Sequence, residues 1–289
     1  MKEAAILKPK LIIHGGAGAL EGNMFQFKDY HTALKKTIKK TYDVLAKGGS
    51  RAAVVYGIKM MENNPIFNAG YGSKIQKDGQ IRMSAAIMSS DDNKFSGVVN
   101  IRSVKNPIAV ADLLRGEKYR VLGGNEAIEY ARLHNFKYFN PTTEHRLREY
   151  KNQLIGETGT VGVVALDSKG ILSAGTSTGG VGYELPGRIG DSATVAGTYV
   201  SRKCGVSCTG KGEDIINQAV AARIVSRVED GVDLARAAEI CVTEANSFNY
   251  KFGFIALDAN GNTHVGKTNK LEVLYAICDG GRISTFMDG

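Results

Sequence analysis

Thr160 stands between a glycine and an apolar run in GETGTVGVVALD, and a second threonine-rich run, ILSAGTSTGG, follows shortly after it. TVGVVALD and ILSAGTST flank the three-residue segment Ser168-Lys169-Gly170, which reads as a hairpin loop whose last residue takes a left-handed backbone. With that loop Asp167 faces Ile171 and Thr160 falls opposite Thr178, where paired side chains share a face with Cβ atoms about 4.5–5.5 Å apart. A two-residue loop slips the register by one and sets Thr160 across from Ser177 instead. A threonine hydroxyl becomes a nucleophile once a base takes its proton, but Thr–Thr pairs are also ordinary strand decoration.

Two further segments carry chemistry. GGVGYELPGRIGDS places Arg188, Ile189, Gly190 and Asp191 among glycines and a proline, where a loop is expected. A guanidinium fork grips a carboxylate at two points, and a carboxylate three residues on can grip an ammonium. Together they would read both ends of an amino acid; as a local surface ion pair they would be worth little. In GVSCTGKGED, Thr209, Gly210, Lys211 and Gly212 run into a helix, and their backbone N–H groups suit developing negative charge. Gly205–Lys211 also fits the GxxxxGK phosphate loop, a rival nucleotide-binding reading. Gly212, however, stands where that motif needs a hydroxyl for magnesium.

The elements that must position these residues follow from periodicity and punctuation. KLIIH, at 10–14, is a buried strand ending in the turn GGAGAL. Helices are expected over 28–47, closed by Gly48-Gly49, and from Ser50 to about Asn63. Strands lie in QIRMSAAIM and GVVNIR, a helix starts at Asn106-Pro107 with proline at N1, and another spans 125–134. Residues 136–159 are charged and irregular and read as a long surface connection. Strands, helices near 213–229 and 233–246, and strands again complete the chain. FGFIALDANGNTHVG echoes TVGVVALDSKGILSAG. This order favours segregated sheets packed on helices, or two sheets sandwiched between helix layers.

At 289 residues, with 43% hydrophobic and 23% charged residues, the chain is of ordinary globular composition. The four cysteines show no zinc spacing and read as reduced, buried thiols. The N-terminal apolar run is too short for a signal peptide and no window approaches a membrane span, so a cytoplasmic protein with no membrane partner is expected. The net charge of +8 permits an acidic partner, but the lysines are spread out and no tryptophan is present, which argues against nucleic acid.

With these residues assembled, the chain resembles the plant-type L-asparaginase / isoaspartyl (β-aspartyl) peptidase family of N-terminal-nucleophile hydrolases. The matching strings are LIIHGGAG, FNAGYGS, GTVGVVALD, AGTSTGG, LPGRIGDS and GVSCTGKGE, in the family's order. The resemblance implies an α+β fold, a four-layer αββα sandwich in one domain over 1–289. It also implies a precursor that cuts its own Gly159–Thr160 bond into an α chain, 1–159, and a β chain, 160–289. Glycine at 159 would permit the strained backbone such a cut needs, and the connection at 136–159 would move aside afterwards. No cofactor is implied, beyond a structural sodium or potassium ion commonly held in α-chain loop carbonyls. The expected assembly is a homodimer of αβ units acting on a small-molecule or dipeptide substrate.

Carried over by position, Thr160 matches the nucleophile and Thr178 the second threonine beside it. Thr209 and Gly210 match the oxyanion hole, Arg188 and Asp191 the groups holding the substrate's α-carboxylate and α-amine, and Gly212 lies in the same loop. Asn68 matches an asparagine placed close to the nucleophile across the subunit boundary, and His14, in the HGG turn, is assigned a structural role. A freed α-amine, with a reference pKa of about 7.7–8.0, can serve as the base for its own hydroxyl. Within the class, a glycosylasparaginase is disfavoured by TSTGG and a threonine endopeptidase by the intact LPGRIGD. An uncleaved, degenerate member remains as an alternative. Ser84 and Ser89-Ser90 depart from the family's acidic residue and Asp-Gly, and the region from KFGFIALD to KTNKLEV departs as well; neither is expected to touch the nucleophile set.

Overall fold

The computed structural model describes residues 8–18, 25–154, 159–269 and 271–288. The end of the GGAGAL turn and residues 155–158 of the expected connection lie outside them. Twelve strands and seven helices are formed by the described residues. In order they are β1 (Lys10–Ala17), α1 (Phe27–Glu62), β2 (Met83–Ser89), β3 (Lys94–Ile101), α2 (Pro107–Leu114), β4 (Val121–Gly123) and α3 (Gly124–Leu133). After α4 (Glu144–Lys151) come β5 (Val161–Leu166), β6 (Leu172–Thr178), β7 (Thr198–Val200) and β8 (Cys204–Gly210). The chain ends with α5 (Gly212–Gln218), α6 (Val220–Glu229), α7 (Leu234–Ser247), β9 (Phe252–Asp258), β10 (Thr263–Lys267), β11 (Val273–Asp279) and β12 (Arg282–Thr285).

The strands form two sheets. The larger runs β12-β11-β1-β5-β6-β2-β3-β4 and the smaller β10-β9-β8-β7. Every pairing is antiparallel except β3 with β4. Side chains alternate across a strand, and the large sheet uses both faces. Leu11, Ile13, Val163 and Ala165 pack with Leu34, Ile38, Val54 and Ile58 of α1. The intervening Ile12, Val164 and Leu166 meet Val200, Ile255 and Leu257 of the small sheet. The outer face of the small sheet, with Val206, Phe254 and Ala256, packs on α6 and α7 through Ile224, Val225 and Ala238. Fully burying one such side chain contributes about 1.5–3 kcal/mol.

Four expectations change. The helices over 28–47 and 50–63 are one element kinked at Gly49 (φ 81°). The Ser50 N–H freed by the kink donates to Asp167 Oδ2 (3.1 Å). The helix expected near 213–229 breaks at Ala219, which is left-handed at φ 48°. The connection at 136–159 contains α4, capped by Thr143 and held by Arg146 Nε, which donates to the Gly72 carbonyl at 2.6 Å. Its outward charges hide an amphipathic turn. Lastly, Gly205–Gly210 of the phosphate-loop spacing fall on extended β8, paired throughout with β9 and over Gly205–Ser207 with β7, and Lys211 is the N-cap of α5, so the segment makes no phosphate-cradling loop. No helix among the described residues is long and apolar enough to cross a membrane.

Candidate active site

The three-residue loop sets the register. Leu166 pairs with Leu172 and Val161 with Ser177, and Gly170 supplies the left-handed residue (φ 79°). One step beyond the ladder, Thr160 Oγ1 donates to Thr178 Oγ1 at 3.1 Å. Both are buried, and their side chains point between the sheets, where the end of β8 brings Thr209 and Gly210. The alternative register, with Thr160 across from Ser177, does not occur.

Gly159, directly before Thr160, sits at φ 134°. Its α-carbon is wedged between two neighbours. A side chain there would strike Asn68 Cβ, and one on Gly16 would come within 3.0 Å of the Gly159 nitrogen. The Asn68 N–H donates to the Gly159 carbonyl at 3.1 Å. The Asn68 side chain ties two loops together, with Nδ2 donating to the Gly180 carbonyl at 2.6 Å and Oδ1 accepting from Lys74 N at 2.9 Å. The Gly180 N–H in turn donates to Thr178 Oγ1 at 3.2 Å.

A cavity of about 20 Å³ opens on these residues, lined by Gly159, Thr160, Thr178 and Gly180 at one end and by Arg188, Gly190, Asp191, Gly210 and Gly212 at the other. Arg188 and Asp191 are not ion-paired with each other. Arg188 is gripped by Glu213, with Nε on Oε1 at 2.7 Å and Nη2 on Oε2 at 2.9 Å. Burial opposes the charge on Arg188, but Glu213 prevails and raises its pKa. Burial pushes Asp191 up to about 7, only partly offset by its own backbone N–H and by Arg188. Asp191 Oδ2 is buried with no hydrogen-bond partner among the described residues, as is Thr209 Oγ1. Gly212 makes the convergence possible, because a side chain there would lie 2.9 Å from Arg188 Nη2 and 3.0 Å from Asp191 Oδ1. Two expected residues stay apart. Lys211 turns its ammonium to Asp214 (3.2 Å), and Ile189 is 47% exposed.

Residues 7–157 and 152–287 match the asparaginase family. The chain belongs to that family. It is 44% identical to an isoaspartyl peptidase/L-asparaginase of Synechocystis sp., over 91% of this chain and 85% of that one. It is 42% identical to a protein of the same description from Nostoc sp., over 98% and 95%. A plant-type L-asparaginase of Pyrococcus horikoshii is 36% identical over 90% of this chain and 93% of its own length.

Against that family, one departure lies nearer the centre than expected. Ser84 pairs directly with Thr178 across β2 and β6, and its hydroxyl accepts from Asn100 N at 3.2 Å. Ser89 and Ser90 lie at the far end of the same strands, bonded to Ser173 and to the main chain of Leu172. Gly72 (φ 118°) is packed so closely that a side chain there would meet the Pro65 and Phe67 carbonyl oxygens at 2.6 and 2.7 Å and Pro65 Cα at 2.8 Å, which leaves that space no room for a side chain. No cluster of three or more His, Cys, Asp or Glu suited to a metal occurs among the described residues.

Sequence reasoning missed Glu213 as a partner of Arg188, although GKGED contains it. It also missed a buried polar chain under the site. His14 Nε2 lies 3.0 Å from Ser207 Oγ, which is 2.7 Å from Thr176 Oγ1. Thr176 Oγ1 is 2.5 Å from Thr198 Oγ1, which is 2.9 Å from the Ser192 carbonyl. Burial holds the His14 ring neutral, lowering its pKa to about 3 against the opposing pull of a hydrogen bond with the Thr160 main chain. The chain joins His14, on the strand beside β5, to Ser192, the neighbour of Asp191.

Proposed function

We propose that this chain is the precursor of a threonine hydrolase that cuts its own Gly159–Thr160 bond and then releases L-aspartate from L-asparagine or from β-aspartyl dipeptides. The observation that carries the reading is the hydroxyl pair of Thr160 and Thr178, set between the Gly159 carbonyl and the Arg188–Asp191 loop. In the precursor, Thr160 Oγ1 attacks the Gly159 carbonyl carbon, whose oxygen is already polarised by the Asn68 N–H. The amide nitrogen of Thr160 leaves as the new α-amine, and water hydrolyses the ester left on Oγ1. A cavity of about 20 Å³ holds about one water, so substrate enters only after the Gly159 end has withdrawn.

In the mature site the α-amine takes the Thr160 hydroxyl proton. Arg188 binds the substrate's α-carboxylate in a bidentate grip, sharing its guanidinium with Glu213. Asp191, as the carboxylate, takes the ammonium. Oγ1 then attacks the side-chain carbonyl, and the oxyanion is met by Thr209 Oγ1 and the Gly210 region, in the manner of preorganised donors. Ammonia or the amine of a dipeptide leaves with a proton, and water resolves the β-aspartyl ester. The head of the substrate is fixed while the leaving amine is free to vary. The reading includes a four-layer αββα sandwich in one domain and a homodimer of αβ units.

Intact mass spectrometry of purified protein, beside assays of ammonia from asparagine and of aspartate from β-aspartyl-leucine, tests the reading. Two fragments split at 159/160 and turnover of either substrate are expected. An active, unbroken chain sinks it.

A further inference from the structure

Glu62, the last residue of α1, is a fully buried carboxylate that the chemistry above does not use. No Lys or Arg forms an ion pair with it among the described residues, yet it is fully occupied by donors. Oε1 accepts from Ser177 Oγ at 2.8 Å and from Ile108 N, at the start of α2, at 3.0 Å. Oε2 accepts from Asn106 Nδ2 at 3.1 Å. An N–H at a helix start can only donate, so the carboxylate form suits this cradle, although burial pushes its pKa up to about 7 against these bonds.

Its partners place it behind the site. Ser177 is the residue before Thr178 and pairs with Val161, the residue after Thr160. Odd and even residues of β6 face opposite sides, so Ser177 reaches Glu62 on the helix side while Thr178 meets Thr160 on the other. The main chain of Glu62 holds the second arm, with its carbonyl accepting from Tyr71 N at 2.7 Å. Gly70 lies so close that a side chain on it would meet Glu62 Cα at 2.9 Å. Two residues before Gly70 is Asn68, whose N–H holds the Gly159 carbonyl.

We propose that Glu62 is a positioning residue: from the helix side of the large sheet it fixes both the strand end that carries Thr178 and the loop that presents Asn68. This rests on the hydrolase reading above. It assigns Glu62 to the chemical steps and not to substrate binding, because Arg188 and Asp191 stand on a loop it does not touch.

The test measures kcat per mole of cleaved chain, KM for asparagine, the rate of precursor cleavage and Tm for wild type, Glu62→Ala, Glu62→Gln and Ser177→Ala. Glu62→Ala is expected to lower kcat and slow cleavage by about 10- to 100-fold, the scale of a misplaced catalytic group, with KM unchanged. Glu62→Gln keeps an acceptor for Ser177 and Ile108, and Asn106 can turn its amide, so kcat returns to within about threefold of wild type. Ser177→Ala loses one hydrogen bond and lowers kcat by about 3- to 10-fold. A lower Tm in Glu62→Ala with kcat per cleaved chain unchanged overturns the proposal. If Glu62→Ala does not fold, a wild-type kcat in Ser177→Ala overturns it on its own. A wild type that neither cuts itself nor turns over substrate would instead refute the hydrolase reading.

Discussion

The hairpin of β5 and β6 and that of β9 and β10 are written on one plan, VVALDSKGI and FIALDANGN. Their turns match atom for atom. Asp167 Oδ1 accepts from Lys169 N and Ile171 N at 2.9 and 3.0 Å, and Asp258 Oδ1 accepts from Asn260 N and Asn262 N at 2.9 and 2.8 Å. Gly170 and Gly261 are left-handed at 79° and 84°. What differs is the surroundings. β5 and β6 lie between β1 and β2 in the middle of the large sheet, whereas β10 is an edge. Asp167 spends its second oxygen on the kink of α1, while Asp258 spends its own on Asn262 within the turn. Turn chemistry sets register in both, and position in the sheet decides whether that register brings a site together.

The comparison breaks most completely at Thr160, which has no counterpart in the second hairpin. Thr160→Ala leaves the hairpin its turn and removes the proposed nucleophile, so the chain should stay whole on a denaturing gel and show no turnover. Next is the register itself. Deleting Ser168 makes a two-residue loop, slips β5 against β6 by one residue and turns the opposed face. Cleavage should slow by about 100-fold or more. Deleting Asn260 slips an edge strand, and cleavage measured the same way should stay near wild type.

A smaller effect comes from Asp191, on the segment that crosses from β6 in one sheet to β7 in the other. In the proposed mechanism substrate ammonium binds its carboxylate form, and burial sets that carboxyl at about 7. KM for asparagine should therefore fall as pH rises, by about tenfold per unit below 7, and level off above it. Asp191→Asn removes the slope. Stability moves the other way. The folded chain holds this proton above its ordinary value of 3.8, so the group contributes most below about 4, and that contribution is lost as pH climbs to 7. Smallest is the turn pair. Asp167→Ala, which strips a cap from the kink of α1 as well, should cost more stability than Asp258→Ala, by about 1 kcal/mol in denaturant unfolding.

Local rules reached far into this structure. The loop Ser168–Gly170 named the partner of Thr160, Pro107 marked a helix start, and glycine-rich loops marked the places where backbones converge. They failed where tertiary contacts set the outcome. Nothing near α4 reports that Arg146 will find the Gly72 carbonyl, and no glycine marks the break at Ala219. The grip of Glu213 on Arg188 spans two loops, and Glu62 meets Ser177 across a whole layer. Ser84 looked remote because its distance from Thr178 along the chain hides their pairing across strands.

The strand order of the large sheet has one more consequence. β1 to β4 precede residue 160 while β5, β6, β11 and β12 follow it, and β1 is inserted between β11 and β5 of the other set. If the Gly159–Thr160 bond is cut as proposed, the small sheet stays within the second polypeptide but neither polypeptide owns the whole large sheet, and pulling them apart would tear the hydrogen bonds on both flanks of β1. The halves should melt as one body, in a single transition, and after dilution from denaturant neither should regain its fold without the other.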